Sequence, residues 1–135
     1  MAVWRFFDYV GLTKRNKIRE WLDTLPDGDR ARIDSRLLIM IALPNWPEKW
    51  VSKYRCQEEL YEFRIKGRNI QYRPLGTYYG TKQYVILNGA IEKGGKIEKS
   101  DVDVALVRLN KLKRNNAYVV LHEFDSSDAM EKHEE

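Results

Sequence analysis

Four basic side chains in a strand-rich stretch define the chemistry open to this chain. Arg64 and Arg73 fall in short apolar-alternating segments, and Lys93 and Lys96 flank a Gly94-Gly95 turn. Guanidinium groups on rigid strands hold a phosphodiester bidentately and stabilise charge that builds up on a pentacoordinate phosphorus, with no metal required. In principle that suffices for RNA cleavage, because the nucleophile belongs to the substrate. A 2′-hydroxyl attacks the adjacent phosphate, and the protein supplies orientation, charge stabilisation and proton transfer. A lysine or tyrosine of lowered pKa would move the protons. Gln71, Tyr78, Tyr79 and Lys82 are candidates for further RNA contacts, the tyrosines by stacking on bases. Other chemistries find less support. One cysteine and two histidines, His122 and His133, give no clustered metal-ligand spacing. Gly94-Gly95-Lys96 lacks the flanking glycine and the following Ser or Thr of a nucleotide-binding loop. No cofactor is expected.

The elements that must position these residues follow from periodicity. From Leu60 the apolar period is two, and Lys66-Gly67-Arg68-Asn69 suits a two-residue type II′ hairpin with glycine first. That turn pairs Ile65 with Ile70, Arg64 with Gln71, Phe63 with Tyr72 and Glu62 with Arg73. Arg64, Gln71 and Arg73 then share one polar face. Arg73 has a purely structural alternative, an ion pair with Glu62 across the hairpin. A third strand is expected over Tyr84 to Ile91, broken by Gly94-Gly95.

Upstream, residues 3 to 9 read as a strand. Thr13 is the expected N-cap of a helix whose stripe is Ile18, Trp21, Leu22 and Leu25, stopping at Pro26. Asp27 and Asp29 open a second helix with Ala31, Ile33, Leu37, Leu38, Ile41 and Ala42 as its apolar positions, ended by Pro44 and Pro47. Residues 45 to 59 read as a surface loop, with Trp46 and Trp50 covering the helical hairpin. Downstream, Ser100 is the expected cap of a helix carrying Val102, Ala105, Leu106, Leu109 and Leu112. Tyr118 to Phe124 reads as a last strand or an extended arm, and His122 as structural or solvent-exposed. The fold class is α+β: a strand and an αα-hairpin on an antiparallel meander, then a further helix.

Composition bounds the rest. At 135 residues and 43% hydrophobic content the chain holds one core, giving a single domain over 1–124 and an acidic, disordered tail over 125–135. The longest apolar run, Leu37 to Leu43, is far short of the roughly 20 residues that span a bilayer, and no signal segment opens the chain. A lone cysteine, Cys56, fits a cytoplasmic location. The net charge of +4 is unevenly spread, with 12 Lys/Arg against 5 Asp/Glu over residues 60–114. Such a block favours an anionic partner.

The ordered set Leu60-Tyr61-Glu62-Phe63-Arg64-Ile65, Tyr72-Arg73, Tyr84 through Lys93, Lys96, and the helix with Ala105, Arg108 and Leu109 resembles the phage-derived Gp49/HigB-like branch of the RelE toxin superfamily. The helix ending Arg19-Glu20-Trp21-Leu22-Asp23-Thr24-Leu25-Pro26 is similar to it as well. The resemblance spans residues 3 to 114 and is strongest over 60 to 110. It implies a RelE-like fold and the toxin of a type II toxin-antitoxin system, a metal-independent endoribonuclease acting on mRNA at the ribosome. It also implies a cognate antitoxin, often a small helix-turn-helix protein. Arg64 and Arg73 match strand arginines that contact the scissile phosphate, and Lys93 and Lys96 match a basic pair after the last meander strand. Asn88 stands where relatives often carry histidine. That departure keeps open a second reading, a non-catalytic phage-derived adaptor of the same fold that binds RNA or protein.

Overall fold

The computed structural model describes residues 3–54 and 59–124. Cys56 and the acidic segment 125–135 lie outside the described residues. Three helices and ten strands are present among them, and no helix is long and apolar enough to cross a membrane.

The first strand, β1 (Arg5–Tyr9), lies one strand in from the edge of a six-stranded sheet and is parallel to β7 (Gln83–Asn88). Burial on both faces explains the near-continuous apolar run of β7. Its Tyr84 and Ile86 join one core and its Val85 and Leu87 the other, as a two-residue repeat requires. The first core is closed by α1 (Lys17–Asp23) and α2 (Asp27–Ala42), through Ile18, Leu22, Ile33, Leu37 and Met40. The second is closed by α3 (Lys99–Lys113), through Val102, Ala105, Leu109 and Leu112. In α1 and α3 the stripes expected from periodicity are the buried or half-buried ones; in α2 Ile33 and Leu37 are buried as expected, but Ala31, Leu38 and Ala42 are exposed and Met40 is buried instead.

Two helix starts differ from expectation. Asn16, not Thr13, caps α1: its Oδ1 accepts the N–H of Arg19 at 2.9 Å, while its Nδ2 donates to Asp8 Oδ2 at 2.9 Å. Residues 11–14 form a turn with positive φ at Gly11 (68°) and Lys14 (61°), so the helix cannot begin there. The cap position of α3 is Glu98, which places Ser100 inside the helix.

The meander also departs from its expected register. It runs through β3 (Tyr61–Phe63), β4 (Ile65–Lys66), β5 (Gln71–Tyr72) and β6 (Leu75–Tyr78), with β2 (Val51–Lys53) added along β3 from within the expected loop. Ile65 pairs with Tyr72 and Lys66 with Gln71, so the connection holds four residues, Gly67 to Ile70. The cause is a distant side chain. Asp29 of α2 accepts the N–H of Arg68 at 2.9 Å and the Tyr72 hydroxyl at 2.6 Å, pinning the turn and the strand after it. Those hydrogen bonds, from Tyr72 first and Arg68 second, hold the Asp29 carboxyl below its usual pKa. The Tyr72 phenol is pushed up to about 12, by burial first and then by Asp29. Gly67 is packed rather than turned, since a Cβ there would meet Tyr72 Cε2 at 2.5 Å and Asp29 Oδ2 at 2.9 Å.

The third meander strand splits into β7 and β8 (Ile91–Lys93) at Gly89-Ala90. A Cβ on Gly89 would lie 2.0 Å from the Trp21 indole of α1. Gly89→Ala should therefore lower stability by about 1–3 kcal/mol, the usual cost of overpacking. Thermal unfolding measures this, and an unchanged midpoint would show that Trp21 moves aside freely. β8 turns through Gly94 and Gly95 (φ 58° and 80°) into β9 (Lys96–Ile97), and β4-β5-β8-β9 form a second, four-stranded sheet. A two-residue turn with both φ positive is of the I′ kind, which needs glycine or asparagine. The last strand, β10 (Val119–Leu121), pairs antiparallel with β1.

Candidate functional site

Both arginines lie where strands leave one sheet for the other. Arg64 separates β3 from β4, and its N–H donates to the Trp50 carbonyl at 2.8 Å. Arg73 and Pro74 separate β5 from β6; the Arg73 N–H donates to Ala90 O at 2.8 Å and Pro74 O accepts the Phe63 N–H at 3.0 Å. Gly89-Ala90 breaks the neighbouring strand at the same level. Proline has no N–H to extend the ladder, and glycine lets Trp21 approach, so the sequence itself puts a seam there.

A cavity of about 190 Å³ opens at this seam. Arg64, Arg73 and Lys96 line it together with Lys53, Glu62 and Glu92. Arg73 is buried; its Nη2 donates to Glu92 Oε1 at 2.7 Å and its Nη1 to Tyr72 O at 3.1 Å. Arg64 is more open; its Nη2 donates to Glu62 Oε1 at 3.1 Å and its Nη1 to Glu48 O at 3.4 Å. These bonds engage two of the five N–H donors that each guanidinium carries. The partner expected for Arg73 across the hairpin, Glu62, holds Arg64 instead. The lining thus carries four cations against two carboxylates, a balance that suits an anion while keeping two proton acceptors at hand.

The other candidates are distributed around this cavity or away from it. Gln71 is half-buried and pairs with Glu92 in the ladder beside the site. Lys93 faces Lys96 across the β8–β9 turn, yet it lines a separate cavity of about 490 Å³ and donates to Glu98 at 3.1 Å. Asn88 lines that second cavity too. Its Nδ2 donates to Asp101 O at 3.0 Å and its Oδ1 accepts from Arg108 at 3.3 Å, so it ties β7 to α3. Tyr79 packs edge-on to Phe7 at 6.3 Å, and Lys82 donates to Pro44 O at 2.7 Å while lying 4.9 Å over the Trp4 ring. Both thus make contacts within the fold, and Tyr79 stays exposed. Tyr78 stacks on Trp46 at 5.8 Å, and its phenol pKa is raised by burial and then by Tyr61. It stays protonated at neutral pH and cannot serve as a base there.

Three lining residues escaped the sequence reading. Lys53 lies in a segment read as loop, although Val51–Lys53 is the edge strand beside β3. Glu62 entered only as an ion-pair partner, and Glu92 only within the segment Tyr84 to Lys93. Their signal was positional, since Glu62 precedes Arg64 by two residues and so shares its face of the strand.

His122 is structural. It is buried, with Nδ1 2.8 Å from Asp8 Oδ1 and Nε2 3.4 Å from Asp34 Oδ1. Burial alone pushes its pKa down, but hydrogen bonds and charge from Asp34 and Asp8 outweigh that and raise it to about 9. The imidazolium clamps the residue after Leu121 to β1 and α2.

Fold and site together define an α+β protein with a recessed, arginine-lined cavity at the seam of two sheets. The chain belongs to the phage-derived Gp49-like protein family (DUF891), whose family model matches residues 20–110. This is a RelE/HigB-like toxin family, associated with the toxins of toxin-antitoxin systems. A comparison with curated proteins found no match. The matched span takes in the second half of α1 and all of α2 as well as the meander, beyond the segment where the motifs are densest.

Proposed function

We propose that the chain is the toxin of a type II toxin-antitoxin system, a metal-independent endoribonuclease that cleaves mRNA on the ribosome in the cytoplasm and is silenced by a cognate antitoxin, a small helix-turn-helix protein. The observation that carries this reading is the convergence of Arg64, Arg73, Lys53 and Lys96 with Glu62 and Glu92 on one cavity of about 190 Å³. That volume takes a phosphate and little more.

In the proposed reaction the two guanidiniums hold the non-bridging oxygens and stabilise the extra charge of the pentacoordinate phosphorus. Glu62 or Glu92 accepts the 2′-hydroxyl proton, the 2′-oxygen bonds to phosphorus, and the bond from phosphorus to the 5′-oxygen breaks. The Lys96 ammonium gives a proton to that leaving oxygen. The products are a 2′,3′-cyclic phosphate and a 5′-hydroxyl. Lys93, on the separate cavity, contributes charge to the RNA-facing side rather than to the reacting atoms.

Glu62→Gln and Glu92→Gln test the proton acceptor. One of them should lower cleavage by about 10²–10³-fold while binding of an uncleavable RNA is kept, since general base catalysis supplies on the order of 10²–10⁴. If the double variant cleaves at the wild-type rate, neither carboxylate is the base.

A second reading, the non-catalytic adaptor, is favoured by one observation: each arginine already holds a glutamate, at 3.1 Å and 2.7 Å. Induction of the chain alone in a bacterial host separates the two. The toxin reading expects growth arrest with reporter mRNA cut, and the adaptor reading expects neither.

A further inference from the structure

A broader groove of about 710 Å³ adjoins the arginine cavity, and Lys53 and Arg64 line both. Its floor is aromatic. Tyr78 is 40% exposed, stands edge-on to Tyr61 at 4.7 Å and lies nearly parallel to Trp46 at 5.8 Å. The exposed Lys49 lies on its lining as well. We infer that this groove is a nucleobase subsite, which takes the base of a nucleotide next to the phosphate held by Arg64 and Arg73 in single-stranded RNA.

The small cavity has room for a phosphate but not for the nucleotide attached to it, whereas the groove is large enough for a base and its sugar. Lys53 and Arg64 stand at the junction, where the backbone must pass from one to the other. Cations along a backbone path beside half-exposed aromatic rings are the recurring arrangement for single-stranded nucleic acid, because every base has a π-face to stack. Stacking on the rings of this lining does not depend on which base is present, so the contact is expected to favour bases in general rather than one base. The alternative for these rings is packing alone. Trp46 meets that description through Phe6 and Phe63; Tyr78 also packs on Trp4 and Tyr84, yet it stays 40% exposed and lines the groove.

This inference rests on the RNA-binding part of the proposed function, and the test separates the two. The probe is a fluorescein-labelled 2′-deoxy oligonucleotide, which lacks the attacking hydroxyl, in intact and singly abasic forms. Affinity is measured for the full chain and for Tyr78→Leu and Lys49→Ala, each checked by thermal unfolding. Intact probe should bind wild type about tenfold more tightly than the abasic probe, and Tyr78→Leu should bind both alike. Lys49→Ala should weaken both probes equally, two- to fivefold, and flatten the salt dependence. Wild-type binding with no abasic penalty, or a penalty that persists undiminished in Tyr78→Leu, would overturn the subsite and leave the phosphate site standing. If wild type binds no single-stranded probe the subsite is overturned, whereas the proposed function falls only if reporter mRNA on translating ribosomes also stays intact.

Discussion

Arg73→Ala, expressed without an antitoxin, should no longer arrest growth, and the purified variant should cleave RNA at least 10²–10³-fold more slowly. The size follows from the role: a donor preorganised on a developing oxyanion is worth about that factor when removed. Arg73→Lys should not restore activity, because an ammonium is a point charge that cannot reproduce a two-pronged grip on phosphate. Arg73 is buried against Glu92, so its loss also leaves a partly buried carboxylate without its counter-ion. Arg64→Ala supplies the control. Its side chain is 40% exposed, so the folding cost is small, and cleavage should fall by a similar factor. Unchanged growth arrest by both variants, each folded by circular dichroism, would remove these arginines from the site.

The largest effect on stability is expected at His122. Replacing it with alanine leaves Asp8 and Asp34 buried without their shared cation, and breaking a buried charge cluster in this way costs about 3–5 kcal/mol. The same cluster sets a pH dependence. The folded-state pKa of His122 lies above the ordinary value of 6.5, at about 9. Its contribution is therefore complete below pH 6.5 and is lost as pH rises through about 9. Over that window stability should fall by on the order of 3 kcal/mol. Urea unfolding at pH 6, 7.5 and 9.5 measures the slope, and His122→Ala should flatten it. A wild-type profile that is flat or rising between pH 6.5 and 9 would contradict the charged clamp.

What the sequence made legible is what repeats locally. The stripe Ile18, Trp21, Leu22 and Leu25 fixes α1 because a period of 3.6 is written into adjacent turns, and the same holds for Val102 to Leu112 in α3. The meander register was not local. Asp29 reaches Tyr72 and Arg68 from α2, so the hairpin acquired a four-residue connection that no turn rule indicates. The resulting shift is two residues, which preserves the faces of a strand while changing the partners. Arg64 and Arg73 therefore still share one side, but Arg73 holds Glu92 and Arg64 holds Glu62. Lys53 was hidden because a three-residue edge strand carries too little period to recognise. Lys93 and Lys96 looked like one basic pair because they flank one turn, but they line different cavities. His122 gave no periodic signal; the one hint was Asp8 in a strand otherwise aromatic on both faces.

If the Arg64–Arg73 cavity directs a 2′-hydroxyl onto its neighbouring phosphate, end-group analysis of a reporter mRNA incubated with purified protein and translating ribosomes reads the reaction out. The wild-type chain should give fragments ending in 2′,3′-cyclic phosphate with 5′-hydroxyl partners, absent with Arg64→Ala and Arg73→Ala. Intact mRNA with the wild-type chain, fragments ending in a 3′-hydroxyl, or equal cleavage by both arginine variants would contradict it.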